Sequence, residues 1–179
     1  MLFYAVTDPA TLDFEFLHRD LERFAQKASM IVYRDKKNKE YALCAKMFVA
    51  AAKQFGFNRV LLHGEADLAK AYGADGVHLR SDQFDQIKDA KAAGLFVVVS
   101  THLLKGAKQA EALGADMVTF SPIFDTPNKG EPVGLAMLEA VTSALSIPVI
   151  ALGGIITQEQ AVACKEAGAE GIASIRYFG

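Results

Sequence analysis

The chain has 179 residues, 51% of them hydrophobic, which is enough for one compact domain with a sizeable core and too little for a second full domain. Its 19 Lys and Arg against 21 Asp and Glu give a formal net charge of −2, which excludes the basic field of a nucleic-acid binder and the long charge run of a disordered tail. No apolar run reaches the length of a membrane span, and the stretch Met1 to Thr7 lacks the charged flank of a signal peptide, so the expectation is a cytoplasmic protein with neither a membrane nor a nucleic-acid partner.

From the N-terminus, Leu2 to Val6 reads as a strand and Leu12 to Lys27 as an amphipathic helix. Ser29 to Tyr33 then pairs with Glu40 to Phe55, Arg59 to Leu62 with Ala66 to Tyr72, and Gly76 to Leu79 with Phe84 to Ala93 in the same strand-then-helix order. The second half continues with Leu95 to Val99 and Lys105 to Leu113, Met117 to Phe120 and Leu135 to Leu145, Ile147 to Leu152 and Gln158 to Ala167, and a last strand at Gly171 to Ile175. Several strands are almost continuously apolar, the pattern of a parallel sheet buried on both faces. Cys44 and Cys164 fall inside helical patterns with no CxxC or metal spacing, consistent with free thiols.

Three segments echo one another: Gly73-Ala74-Asp75-Gly76-Val77, Gly114-Ala115-Asp116-Met117-Val118 and Gly168-Ala169-Glu170-Gly171-Ile172. Each stops a helix on glycine and enters a strand after a short turn. Eight such units in so short a chain predict an α/β fold, a small (β/α)₈ TIM barrel forming one domain over residues 1–179. A doubly wound open sheet satisfies the same periodicity. Only Arg176 to Gly179 follow the eighth strand, so the final helix is expected to be lacking, leaving a surface for a partner or a homo-oligomer, or else marking a natural or engineered truncation.

Barrel chemistry collects where strands end. Those exits carry Arg34 and Lys36, His63, Ser100 and His102, the loop Ser121 to Gly130 with Thr126, Asn128 and Lys129, the pair Gly153-Gly154, and Arg176. So many cations and hydroxyls on one rim point to a small anionic substrate, best a phosphate ester. Gly153-Gly154 would let backbone N–H groups approach a phosphate, with Arg176 beside them, although a tight turn would choose the same pair. Arg34 and Lys36 point the same way if their strand continues through Lys36, and a solvated basic loop is the alternative. His63 and His102 both end strands and either suits proton transfer near neutral pH.

With Tyr33-Arg34-Asp35-Lys36, Gly73 to Leu79, Pro122-Ile123-Phe124-Asp125-Thr126 with Lys129, and Pro148 to Ile155 in view, the chain resembles the thiamin phosphate synthase and TenI family of barrels. The resemblance implies a small phosphorylated thiazole or pyrimidine as substrate. In the synthase branch, a pyrimidine pyrophosphate is joined to a thiazole phosphate. Arg34, Lys36, Thr126 and Lys129 then match pyrophosphate-side positions, Ser100 a pyrimidine-side serine, and Gly153-Gly154 the thiazole-phosphate grip. That branch uses Mg²⁺ held by two aspartates, where this chain has Gly64 and Gln83, and Val32 replaces its second-strand glutamine. In the TenI branch, a thiazole tautomerase moves a proton without metal, and its histidine falls where this chain has Pro122. The expectation drawn here is a TenI-like tautomerase with no metal or other cofactor. His63 and Lys129 would be catalytic, and Arg34, Lys36, Ser100, Thr126, Asn128, Gly153, Gly154 and Arg176 would bind substrate. A divergent, Mg²⁺-dependent synthase and a catalytically silent binder of thiamin intermediates are the alternatives.

Overall fold

The computed structural model describes residues 1–179. Eight parallel strands close on themselves in sequence order: β1 (Leu2–Val6), β2 (Met30–Tyr33), β3 (Arg59–His63), β4 (Gly76–Leu79), β5 (Phe96–Thr101), β6 (Met117–Phe120), β7 (Val149–Leu152) and β8 (Gly171–Ser174). Seven α-helices cover the outside: α1 (Leu17–Ala25), α2 (Tyr41–Ala52), α3 (Ala66–Tyr72), α4 (Ile87–Ala92), α5 (Leu104–Ala112), α6 (Gly134–Ala144) and α7 (Gln158–Glu166). The ring is sealed by β8 against β1, with Leu2 opposite Gly171 and Ala5 opposite Ser174. The closed barrel is thus the architecture, and the open sheet is not. No helix follows β8; instead Phe178 is fully buried and Tyr177 stacks on Phe3 at 5.8 Å.

Two apolar cores follow from strand alternation. Residues facing the axis, among them Tyr4, Met30, Val32, Leu61, Val98 and Ile150, fill the barrel as a plug of their own. The other face of each strand joins the helices in a core of 41 buried residues. Val32 is fully buried in the plug, so the position contributes packing here.

The Gly-Ala-acid echo has a structural cause. Asp75 accepts the Val60 N–H at 2.7 Å and Asp116 accepts the Val97 N–H at 2.8 Å, so each carboxylate ties its turn to the second residue of the preceding strand. A lysine from the helix that leads into that strand completes each site, Lys53 at the C-terminal end of α2 on Asp75 and Lys91 of α4 on Asp116.

Several boundaries differ from the expected ones for local reasons. The first helix begins as a 3₁₀ turn at Phe14–Phe16, because Asp13 caps the Glu15 N–H at 2.9 Å. β7 starts at Val149 rather than Ile147: Pro148 has no N–H, and the N–H of Ile147 is taken by Glu111 at 2.9 Å. β2 stops at Tyr33, short of Lys36, and the chain turns as the Lys37 N–H meets the Asp35 carboxylate at 3.3 Å.

Candidate active site

At the C-terminal end of the barrel lies a cavity of about 690 Å³, and all ten sequence-predicted site residues line it. Arg34 and Lys36 reach it from the loop after β2, His63 from the end of β3 and Ser100 from β5. Thr126, Asn128 and Lys129 enter from the loop after β6, Gly153 and Gly154 from the loop after β7, and Arg176 from the end of the chain. Arg34 and Lys36 therefore share the cavity although the strand that was to align them ends earlier. A second cavity of about 520 Å³ lies beside the loop after β1, but its buried Asp20 is already engaged by the Asp13 N–H at 2.8 Å and by Arg19 at 3.0 Å.

One flank is cationic. Burial and then the charges of Arg34, Lys129 and Arg80 lower the Lys36 pKa from its usual value, with Asp82 opposing. These four cations therefore act within one field, the arrangement that attracts a multiply charged anion. Asn128 adopts a left-handed φ of 62°, a conformation its short polar side chain tolerates, and this shapes the turn that carries Lys129.

The far flank is built from backbone. In a closed ring of eight, β3 faces β7 and β4 faces β8, so Gly153, Gly154 and Arg176 lie across from the β2–β4 cations. No protein acceptor takes the N–H of Gly153, Gly154 or Arg176, leaving three donors for an anion at the usual barrel phosphate position. The glycines also answer to packing. An added Cβ at Gly153 would stand 2.7 Å from Pro122 Cα, and one at Gly154 would stand 2.4 Å from the Asp125 carbonyl oxygen. The tight packing alone calls for glycine at both positions, and it leaves their N–H groups free.

Between the flanks stands a chain of side chains: Tyr4 Oη lies 2.9 Å from His78 Nδ1, and His78 Nε2 lies 2.9 Å from Ser100 Oγ. Burial, reinforced by Arg34, lowers the His78 pKa to about 3, so the ring is neutral and its two nitrogens play opposite donor and acceptor roles. Ser100 is thereby held with its hydroxyl at the cavity floor. His63 has no side-chain hydrogen bond to protein, and burial, followed by His78, Arg34, Lys36 and Arg80, brings its pKa down to about 2. A ring so reluctant to take a proton is a poor general base at neutral pH, which weakens the proton-transfer role expected for it. His102 places Nδ1 3.0 Å from the Ser121 carbonyl, which makes Nδ1 the donor and leaves Nε2 as an acceptor on the cavity wall.

The sequence reading missed the joint roles of Tyr4, His78 and Arg80. Strand alternation puts Tyr4 and His78 inside the barrel, and Arg80 follows the fourth strand directly, so the signal was position and not residue type.

Fold and rim together define a (β/α)₈ barrel whose mouth holds one cavity lined by a cluster of cations and by unpaired backbone N–H groups. The family model described as "Thiamine monophosphate synthase" (TMP-TENI) matches residues 3–178, and the chain belongs to this family. An Aquifex aeolicus protein named "Putative thiamine-phosphate synthase 2" is 38% identical over 98% of this chain and 96% of its own length. A thiamine-phosphate synthase of Halalkalibacterium halodurans is 35% identical over 70% of this chain, an alignment that spans 63% of that relative. The solved thiamine phosphate pyrophosphorylase of Pyrococcus furiosus superposes with a TM-score of 0.83 at 27% identity, covering 97% of this chain and 85% of that one. These names favour the synthase alternative over the tautomerase that the sequence reading put first.

The residues do not fit the Mg²⁺ that the synthase resemblance implies. Gly64 has no carboxylate, and Gln83 spends its amide tying two loops together, donating to the Gly64 carbonyl at 3.0 Å and accepting the Arg80 N–H at 2.9 Å. Glu65 does not line the cavity, and Asp82, which does, holds Arg80 at 3.0 Å. No group of three or more His, Cys, Asp or Glu comes together as a metal cluster.

Proposed function

We propose that the protein joins a pyrimidine pyrophosphate to a thiazole phosphate, releasing pyrophosphate. The observation that carries this reading is the pairing of two anion grips across one cavity, a cationic one on β2, β4 and the β6 loop and a backbone one on β7 and β8. Two phosphorylated substrates need two such grips, held apart by the span of the two substrates so that their reacting atoms meet between them. In the condensation, charge grows on the departing pyrophosphate as its bond to carbon breaks. Cations already in place stabilise that charge more in the transition state than in the ground state. Arg34, Lys36 and Lys129 supply them. The free N–H groups of Gly153 and Gly154 with Arg176 hold the thiazole phosphate, and Thr126 and Asn128 line the space between. Ser100, oriented through His78 by Tyr4, offers a hydrogen bond to the pyrimidine.

A thiazole tautomerase is the second reading. It is favoured by the acceptor nitrogens of His63 and His102 on the cavity wall. Incubation with both phosphorylated substrates, followed by product and pyrophosphate quantitation, decides between the two. Pyrophosphate release that requires both substrates, and that falls by about 100-fold in Lys129→Ala, supports condensation. Proton exchange on a thiazole carboxylate phosphate without any pyrimidine would instead establish the tautomerase. Ligand-induced thermal stabilisation with neither reaction would leave a binding protein.

A further inference from the structure

The mismatch between this rim and a metal site is itself informative. At Gly64, φ is +77° and an added Cβ would meet Arg80 Nη1 at 2.9 Å, so the volume that a side chain at position 64 would fill is occupied by a guanidinium. Arg80 is held at two points, its side chain and its backbone. Its Nε donates to Asp82 at 3.0 Å, its own N–H is held by Gln83 at 2.9 Å, and Gln83 is anchored in turn on the Gly64 carbonyl. Gln83 is buried, so the fold sets the backbone position of Arg80, while the Arg80–Asp82 pair lies at the solvent-exposed rim. Neither Nη1 nor Nη2 of Arg80 has a protein acceptor, and the residue lines the cavity alongside Arg34, Lys36 and Lys129.

We propose that Arg80 replaces the divalent cation: a guanidinium oriented by Asp82 over Gly64, on backbone that Gln83 holds, binds the diphosphate end of a substrate directly, so that this site takes a diphosphate without metal. A guanidinium presents two parallel N–H donors to a phosphate and carries its charge permanently, whereas Mg²⁺ needs oxygen ligands that this rim does not offer. Asp82 keeps the fork oriented through Nε and leaves both terminal nitrogens for the ligand. Gly64 is required because any side chain there would displace the guanidinium.

The inference rests on reading the cavity as a diphosphate site, and its test does not depend on turnover. Inorganic pyrophosphate is titrated calorimetrically into the whole chain, once with EDTA and once with excess MgCl₂, for the wild type, Arg80→Ala and Arg80→Lys. Arg80 is exposed, so both variants are expected to fold, and thermal unfolding checks this. The wild type is expected to bind pyrophosphate in EDTA with no gain on adding Mg²⁺. Arg80→Ala should bind at least about 10-fold more weakly, with Arg80→Lys in between, because an ammonium keeps the charge but loses the fork. Binding that appears only with Mg²⁺, that survives Arg80→Ala undiminished, or that is absent in both buffers would overturn the proposal. Metal-free binding that depends on Arg80, in a protein that does not condense the two substrates, would leave the proposal standing and remove only the assigned reaction.

Discussion

Lowering the pH from 7 to 5 is expected to cost the fold about 4 kcal/mol, and two histidines account for it. In the folded chain His63 and His78 stay neutral down to about pH 2 and about pH 3, chiefly because burial disfavours the imidazolium. In the unfolded chain an imidazole takes its proton near pH 6.5. Below that value the unfolded state binds protons that the folded state refuses, so stability is fully present above about pH 6.5 and is lost as pH falls toward the folded values. Each ring contributes a slope of about 1.4 kcal/mol per pH unit, or roughly 2 kcal/mol between pH 7 and 5. Because both folded values lie well below 5, the result is insensitive to where they fall. Urea unfolding at pH 7, 6 and 5 reads the slope, and His78→Phe should halve it whatever that change does to stability at pH 7. Stability that is flat across this range, or a ring-proton resonance from either residue titrating near pH 6.5, would refute the reasoning.

Other perturbations address the neighbouring groups. Tyr4→Phe leaves His78 Nδ1 without a partner in the barrel interior and should lower stability by about 1–3 kcal/mol in urea unfolding. Thr119 Oγ1 is buried with no hydrogen-bond partner, so Thr119→Val should raise stability by about 1 kcal/mol, measured in the same way. Gly154→Ala places a Cβ 2.4 Å from the Asp125 carbonyl at a φ of 68°, and should weaken inorganic phosphate binding by about 10-fold as the loop shifts, on top of about 1–2 kcal/mol of backbone strain.

Much of the architecture was legible because each strand-and-helix unit carries its own punctuation. Gly73, Gly114 and Gly168 mark three turns, and Asp75 and Asp116 tie their turns to the neighbouring strand through the Val60 and Val97 N–H groups. The rim residues were legible for a related reason: a barrel delivers every strand exit to one mouth, so a list of exits is already a list of neighbours. What one dimension does not carry is side-chain direction across the mouth. Arg80 follows its strand as plainly as Arg34 does, yet its position over Gly64 depends on Gln83 reaching back to a different loop. The chain from Tyr4 through His78 to Ser100 links β1 to β4 and β5 across the barrel interior, and neither its geometry nor the lowered pKa values follow from residue types. His63 illustrates the point: a strand-end position suggests an acid or base, while its burial and the cations that lower its pKa come only from the fold.

The packing of Gly153 and Gly154 against Pro122 and Asp125 also bears on how two substrates would affect one another. The Ile123 N–H donates to the Leu152 carbonyl and the Phe124 N–H to the Gly153 carbonyl, both at 3.0 Å, so hydrogen bonding between the β6 and β7 segments continues past the ends of both strands. The loop that presents Lys129 and the turn that presents the glycine N–H groups are thus one mechanical piece. An anion that stills the glycines also stills part of the loop, and the second anion then meets a segment whose ordering cost has already been met. Such coupling is reciprocal: whatever factor the first ligand adds to the affinity of the second, the second adds to the first. On the proposed two-anion reading the glycine pair would set the cooperativity between the two anions, and amide exchange across Thr126 to Gly130 should slow when phosphate alone is added.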